Sequence, residues 1–136
     1  MTINITESEE NFLKNFLKDF YYKIINIDDF NTFEDTSIKW IKNVIENYNK
    51  NPENFLIMMQ NYKKYQAWFA SIVGFFYQHG IGCDIDRNMA LELYLQFTNN
   101  EVFLSNRINE DGNEVNELQD INAIIGRYLL SLFLIL

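Results

Sequence analysis

Apolar residues recur at steps of three and four along the whole chain, and strict alternation is rare, so the pattern predicts helices and no sheet. The first helix is expected to begin at Thr6, which pairs with Glu9 in a capping-box spacing, and to stop near Ile27, where Asp28 and Asp29 open a polar connection. Along it Phe12, Leu13, Phe16, Leu17, Phe20 and Ile24 share one face. A second helix reads from about Thr36 to Tyr48. The Asn-rich run before Pro52 then breaks the chain, with Asn51 as cap and Pro52 as the first residue of a third helix. A fourth helix is expected over roughly Gln66 to His79, a fifth over Arg87 to Thr98, and a last one from Glu117 onward. The polar stretch from Asn99 to Asn116 reads as an exposed excursion.

The most informative segment is Ile72 to Phe97. Gly74 falls in mid-helix, where glycine costs about 1 kcal/mol relative to alanine, so a close helix approach should require its missing side chain. Gly80 and Gly82 bracket a short bend, Asp86 is placed to cap the next helix, and Ala90 offers a second small face opposite Gly74. Leu93, Tyr94 and Phe97 can then fold back onto Ile72, Val73, Phe76 and Tyr77 as an antiparallel helical hairpin.

Those residues resemble a known family. Val73-Gly74, Tyr77, Gly80-Ile81-Gly82, Asp86, Ala90 and Tyr94 match the pattern of Sel1-like repeats, relatives of tetratricopeptide repeats, at nine positions within 22 residues. Two departures touch only the edge packing: the small residue usual before the helix glycine is Ala70 and not residue 69, and Met89 stands where lysine is common. A weaker echo follows at Asn122 to Gly126, whose glycine lies 52 residues beyond Gly74 (126 − 74). The resemblance implies an all-α fold of antiparallel hairpins stacked as a short α-solenoid fragment of about six helices. It also implies a non-catalytic scaffold or adaptor that holds a protein or peptide. The overall flavour is similar to Sel1-like proteins expanded in mycorrhizal fungi, often attached to protein-kinase-like domains, so a structural or regulatory appendage of a larger polypeptide is the alternative.

On this reading, residues 1–65 form a three-helix N-terminal segment, 66–99 the repeat hairpin, 100–116 an inserted loop and 117–136 the first helix of an incomplete second unit. The apolar edge of Leu129, Leu130, Leu132, Phe133, Ile135 and Leu136 is then expected to be uncovered, which suits a piece of a longer array or self-association through this helix. Taken by itself the tail from Tyr128 to Leu136 is far shorter than the roughly 20 residues of a membrane span, so no membrane is expected as a partner.

Composition narrows the function classes. With 136 residues, 48% of them hydrophobic and 22% charged, the chain suits one folded domain. Eleven Lys and Arg against 19 Asp and Glu give a formal charge of −8, the wrong sign for nucleic acid. One cysteine, Cys83, and a polar N-terminus without a signal-peptide pattern point to a reducing, cytoplasmic setting.

Candidate chemistry is sparse. His79 and Cys83 lie four residues apart, but no group to orient a base is evident, and the pattern puts both in a structural bend. Asp84 and Asp86 lack the ligand run of a calcium loop, and Gly80-Ile81-Gly82 lacks the lysine of a phosphate loop. No catalytic, metal or cofactor residue is therefore assigned. Core packing explains most of the aromatic residues; Tyr62, Tyr65 and Trp68 are the candidates that, if exposed, would line a concave partner-binding face, since aromatic side chains anchor interfaces.

Overall fold

The structure, a computed structural model, describes residues 6–96 and 113–135. These form seven helices and, among the described residues, no strand: α1 (Glu7–Ile25), α2 (Phe30–Asn47), α3 (Pro52–Gln60), α4 (Tyr65–Trp68), α5 (Ala70–His79), α6 (Arg87–Leu95) and α7 (Asn113–Ile135). The all-α expectation holds. Most of the inserted loop expected over 100–116, and the last turn expected to carry the fifth helix to Thr98, lie outside the described residues. From Asn113, part of that polar stretch is already helical.

Short-range chemistry sets the helix starts. Thr6 and Glu9 form the capping box in full: the Thr6 hydroxyl accepts from the Glu9 amide at 3.1 Å, and the Thr6 amide donates to Glu9 Oε1 at 3.0 Å. The Glu9 carboxyl is held below the usual carboxylate range, chiefly by the Thr6 amide. Asn51 Oδ1 accepts from the Asn54 amide at 2.8 Å with Pro52 as the first helical residue, and Asn49 takes the left-handed conformation (φ 61°) that asparagine tolerates.

Two boundaries differ from the pattern. α2 starts at Phe30 and not at Thr36, because Asp29 caps it through the Asn31 amide at 2.9 Å; the second of the two aspartates is a start signal rather than linker. The expected fourth helix is jogged at Phe69 (φ −118°, ψ −2°) into α4 and α5. Backbone bonds continue on both sides, from the Phe69 amide to the Tyr65 carbonyl (2.8 Å) and from the Val73 amide to the Phe69 carbonyl (2.9 Å). The jog sets Trp68 and Phe69 against Tyr62, with ring centroids 5.5 and 5.6 Å away.

A single hydrophobic core joins the seven helices. Phe16 on α1 marks its centre, stacking on Trp40 of α2 (5.4 Å, 7° between planes) and meeting Phe55 of α3 and Phe76 of α5 edge-on at 5.0 and 6.5 Å. α5 is the central helix: every residue from Ala70 to Phe76 is buried, as expected of a helix surrounded on all sides. α7 closes the fold, packing against α1, α4, α5 and α6. Its 19-residue stretch Glu117–Ile135 is long and apolar enough, by length and composition, to cross a bilayer, because the apolar run starts well before Tyr128. Half of that stretch is buried within the fold: Leu129 and Leu132, expected at an uncovered edge, are buried, while Leu134 and Ile135 are exposed.

Candidate functional site

The hairpin of α5 and α6 is built on missing side chains. A Cβ at Gly74 would lie 2.6 and 2.9 Å from Cε1 and Cδ1 of Tyr94 and 3.3 Å from the Ala90 carbonyl oxygen, so the Tyr94 ring occupies the space a side chain would need. Tyr94 is fully buried and its hydroxyl donates to Gln78 Oε1 at 2.7 Å. Burial, with a smaller push from Glu34, holds its phenol well above the ordinary range; Tyr94 is a fixed neutral donor. Val73 is buried, and the Tyr77 hydroxyl accepts from Gln60 Nε2 at 2.9 Å, tying α5 to α3.

The bend follows its glycines. Gly80 ends α5 in the left-handed region (φ 68°), which lets the Ile81 amide reach the Phe76 carbonyl at 2.9 Å. Gly82 (φ 73°) is seated on the start of α3: a Cβ there would overlap the Pro52 carbonyl oxygen and lie 2.9 Å from the Glu53 amide nitrogen. Asp86 caps α6 through the Met89 amide at 3.0 Å, while its own amide donates to the Tyr77 carbonyl at 2.9 Å.

Gly126 also marks a close approach. Its missing side chain faces the hairpin it follows, with a Cβ placed 2.6 Å from Ser71 Oγ and 3.3 Å from the Tyr94 carbonyl oxygen. Beside it the Ser71 amide donates to Asn122 Oδ1 (3.0 Å) and the Ser71 hydroxyl to the Asn122 carbonyl (2.9 Å), a buried clasp between α5 and α7. Sequence reasoning missed this clasp; the available signal was two polar residues set inside apolar runs, each just ahead of a helix glycine.

His79 and Cys83 are turned to different partners. His79 Nε2 lies 2.9 Å from Oε2 of Glu34, a residue of α2 that no local motif singles out. Burial lowers the imidazole pKa, Glu34 opposes that shift, and Arg87 adds to it. The Cys83 sulfur faces the carbonyls of Phe76 and Ile81 at 3.6 and 3.7 Å. Burial, then Asp84 and Asp86, push its thiol upward, away from the thiolate a nucleophile needs. Among the described residues, no group of three or more His, Cys, Asp and Glu side chains converges to hold a metal ion.

The partner face expected at Tyr62, Tyr65 and Trp68 needs correction. Tyr62 and Trp68 are 5% and 3% exposed, and Tyr65 is half-buried with its phenol pushed up to about 12 by burial. The turn between α3 and α4 aims these rings inward, where Tyr62 donates to Glu10 Oε1 at 2.8 Å and Trp68 carries the Lys14 ammonium 5.4 Å from its centroid. That bond, more than the neighbouring Lys14, lowers the Glu10 pKa.

Exposed apolar surface collects elsewhere. At the α1–α2 connection Tyr22, Ile25 and Phe30 are 54%, 51% and 58% exposed. Tyr22 lines an open groove of about 610 Å³ between the end of α1 and the start of α2, with Phe33 and Trp40 also in its lining and Asp19, Asp28 and Asp29 along it; Ile25 and Phe30 are next in sequence to its lining residues Asn26 and Asp29. Comparison of the chain with protein-family models, with curated proteins and with solved structures found no match.

Proposed function

We propose that this protein is a non-catalytic binding scaffold of the Sel1-like kind, presenting packed helical hairpins to a protein or peptide partner in the cytoplasm. One observation carries the reading: α5 and α6 cross where Tyr94 fills the space above Gly74, and α7 lies against both of them through Gly126. Stacked hairpin proteins are assembled in this manner, each unit burying its apolar face only by contact with the next. The chemistry around His79 and Cys83 supports the same reading. One lies 2.9 Å from the Glu34 carboxylate, and the other is raised in pKa.

Quantitative cross-linking of the full chain in its native cells tests the proposal. A reproducible protein partner, cross-linked to one face of the wild type and lost in a folded surface variant, supports it. Absence of any such partner, or turnover by the purified chain that His79→Ala abolishes, overturns it.

A second reading has its own support. Leu134 and Ile135, at the end of α7, are 71% and 72% exposed, which suits a helix that packs on a further domain, of the kinase-like sort the resemblance implies. Cross-links from this end to a neighbouring domain of the same polypeptide would favour that role.

A further inference from the structure

We infer that the groove between the end of α1 and the start of α2 docks a basic amphipathic segment of a partner protein, with its apolar side chains on Tyr22, Ile25 and Phe30 and its cations toward Asp19, Asp28 and Asp29. The inference rests on the scaffold reading and gives it an address. Three observations converge here. Large apolar side chains normally leave water, yet Tyr22, Ile25 and Phe30 are each more than half exposed within one short stretch of chain. Tyr22 lines a concavity of about 610 Å³, within the range that receives several side chains at once, and Ile25 and Phe30 are the chain neighbours of its lining residues Asn26 and Asp29.

Charge selects the occupant. Three carboxylates line the groove against the single cation Lys23 in its lining, and the whole chain carries a formal charge of −8, so an acidic segment is repelled and a basic one is drawn in. The groove already holds an ammonium of its own: Lys23 Nζ sits 4.8 Å from the centroid of the Trp40 ring. Trp40 therefore offers a π face that accepts a cation, and an incoming Lys or Arg competes with Lys23 for it. A helix bearing apolar residues at steps of three and four, flanked by Lys or Arg, satisfies both the apolar ledge and the acidic lining.

Fluorescence anisotropy with a labelled amphipathic Leu/Lys helical peptide, and its Leu/Glu counterpart, tests the assignment on the full chain. The Leu/Lys peptide should bind, the Leu/Glu peptide should not, and Asp19→Lys with Asp28→Lys should weaken the Leu/Lys peptide by about tenfold or more. Glu46→Lys with Glu92→Lys changes net charge equally on exposed positions outside the groove lining and should leave most of the affinity. Phe30→Ser should also weaken binding while helical content is kept, and Lys23→Ala should tighten it. Equal loss in both charge-reversed pairs, equal binding of both peptides, or binding insensitive to Phe30→Ser overturns the inference. So does a dimer, or attachment to phosphatidylcholine vesicles, that Phe30→Ser abolishes, because the ledge then serves a second copy or a lipid surface. If the groove fails while cross-linking still finds a partner elsewhere, the scaffold reading stands; if no partner is found at all, that reading falls too.

Discussion

The two halves of the core are filled in different ways. Residues 6–60 contain no glycine, and their helices are held apart by rings: Phe12 stacks on Tyr48 at 3.8 Å, Phe16 on Trp40, and Phe20 meets Phe33 at 6.0 Å. The described residues between 70 and 135 include Gly74, Gly80, Gly82 and Gly126, and a Cβ built at any of them would meet another atom within 3.0 Å. Ring-filled space can be refilled by side chains of similar volume, because rotamers and ring tilts adjust. Space closed against backbone, or against a ring pinned by a buried hydrogen bond, has no such freedom. The first half should therefore tolerate substitutions that the second half does not.

Four measurements would break or sharpen that contrast. Gly74→Leu drives a side chain into the Tyr94 ring and should cost more than about 3 kcal/mol in chemical denaturation. If that variant does not accumulate, Gly74→Ala gives a graded version. It gains about 1 kcal/mol of helix propensity, yet should still lose stability overall. Retention of the wild-type melting temperature by Gly74→Leu would remove the crossing from the account. Gly82→Ala combines a left-handed backbone with overlap on the Pro52 carbonyl and should cost about 2 to 3 kcal/mol. In the ring-filled half, Phe16→Leu should cost about 1.5 kcal/mol or less, although Phe16 lies at the centre of the core. A loss larger than that of Gly82→Ala would reverse the contrast.

The smallest effect concerns His79, which sits where the two halves meet. Burial lowers its pKa in the folded state below the ordinary imidazole value of 6.5, so the folded chain binds fewer protons there than the unfolded chain does. The resulting stability is present in full above that value and is lost as pH falls through the lowered one. Between pH 7 and 5 the wild type should lose slightly more stability than His79→Gln, by less than about 1 kcal/mol. Equal slopes in the two chains would show that the Glu34 contact fully compensates for burial.

Local signals were legible in the sequence and long-range ones were not. Thr6, Asn51 and Asp86 cap helices because the amide each accepts from lies within three residues, so spacing alone gives them away. Gly80 and Gly82 were equally readable, since a bend between two periodic runs calls for positive φ. Asp29 was harder: Asp28 and Asp29 are chemically alike, and only the chain path decides which one caps. Glu34 with His79, Ser71 with Asn122, and Tyr62 with Glu10 join residues far apart in sequence, and their pairing depends on which helix faces meet. The same gap explains Tyr62 and Trp68. An aromatic residue near lysines reads as surface until the turn at 61–64 is seen to aim it inward. The groove was illegible for the same reason, as its lining comes from two helices and the connection between them.

The seat of Gly82 on Pro52 has a consequence for how the molecule assembles. The tip of the helical pair finds its place only once a segment thirty residues upstream (82 − 52) has arrived, so this pair is not an autonomous folding unit. An excised peptide spanning it would keep its caps but lose the floor beneath its turn. In hydrogen exchange, the amides of that turn and of the α3 start should open together, as one cooperative block that straddles any boundary drawn between them.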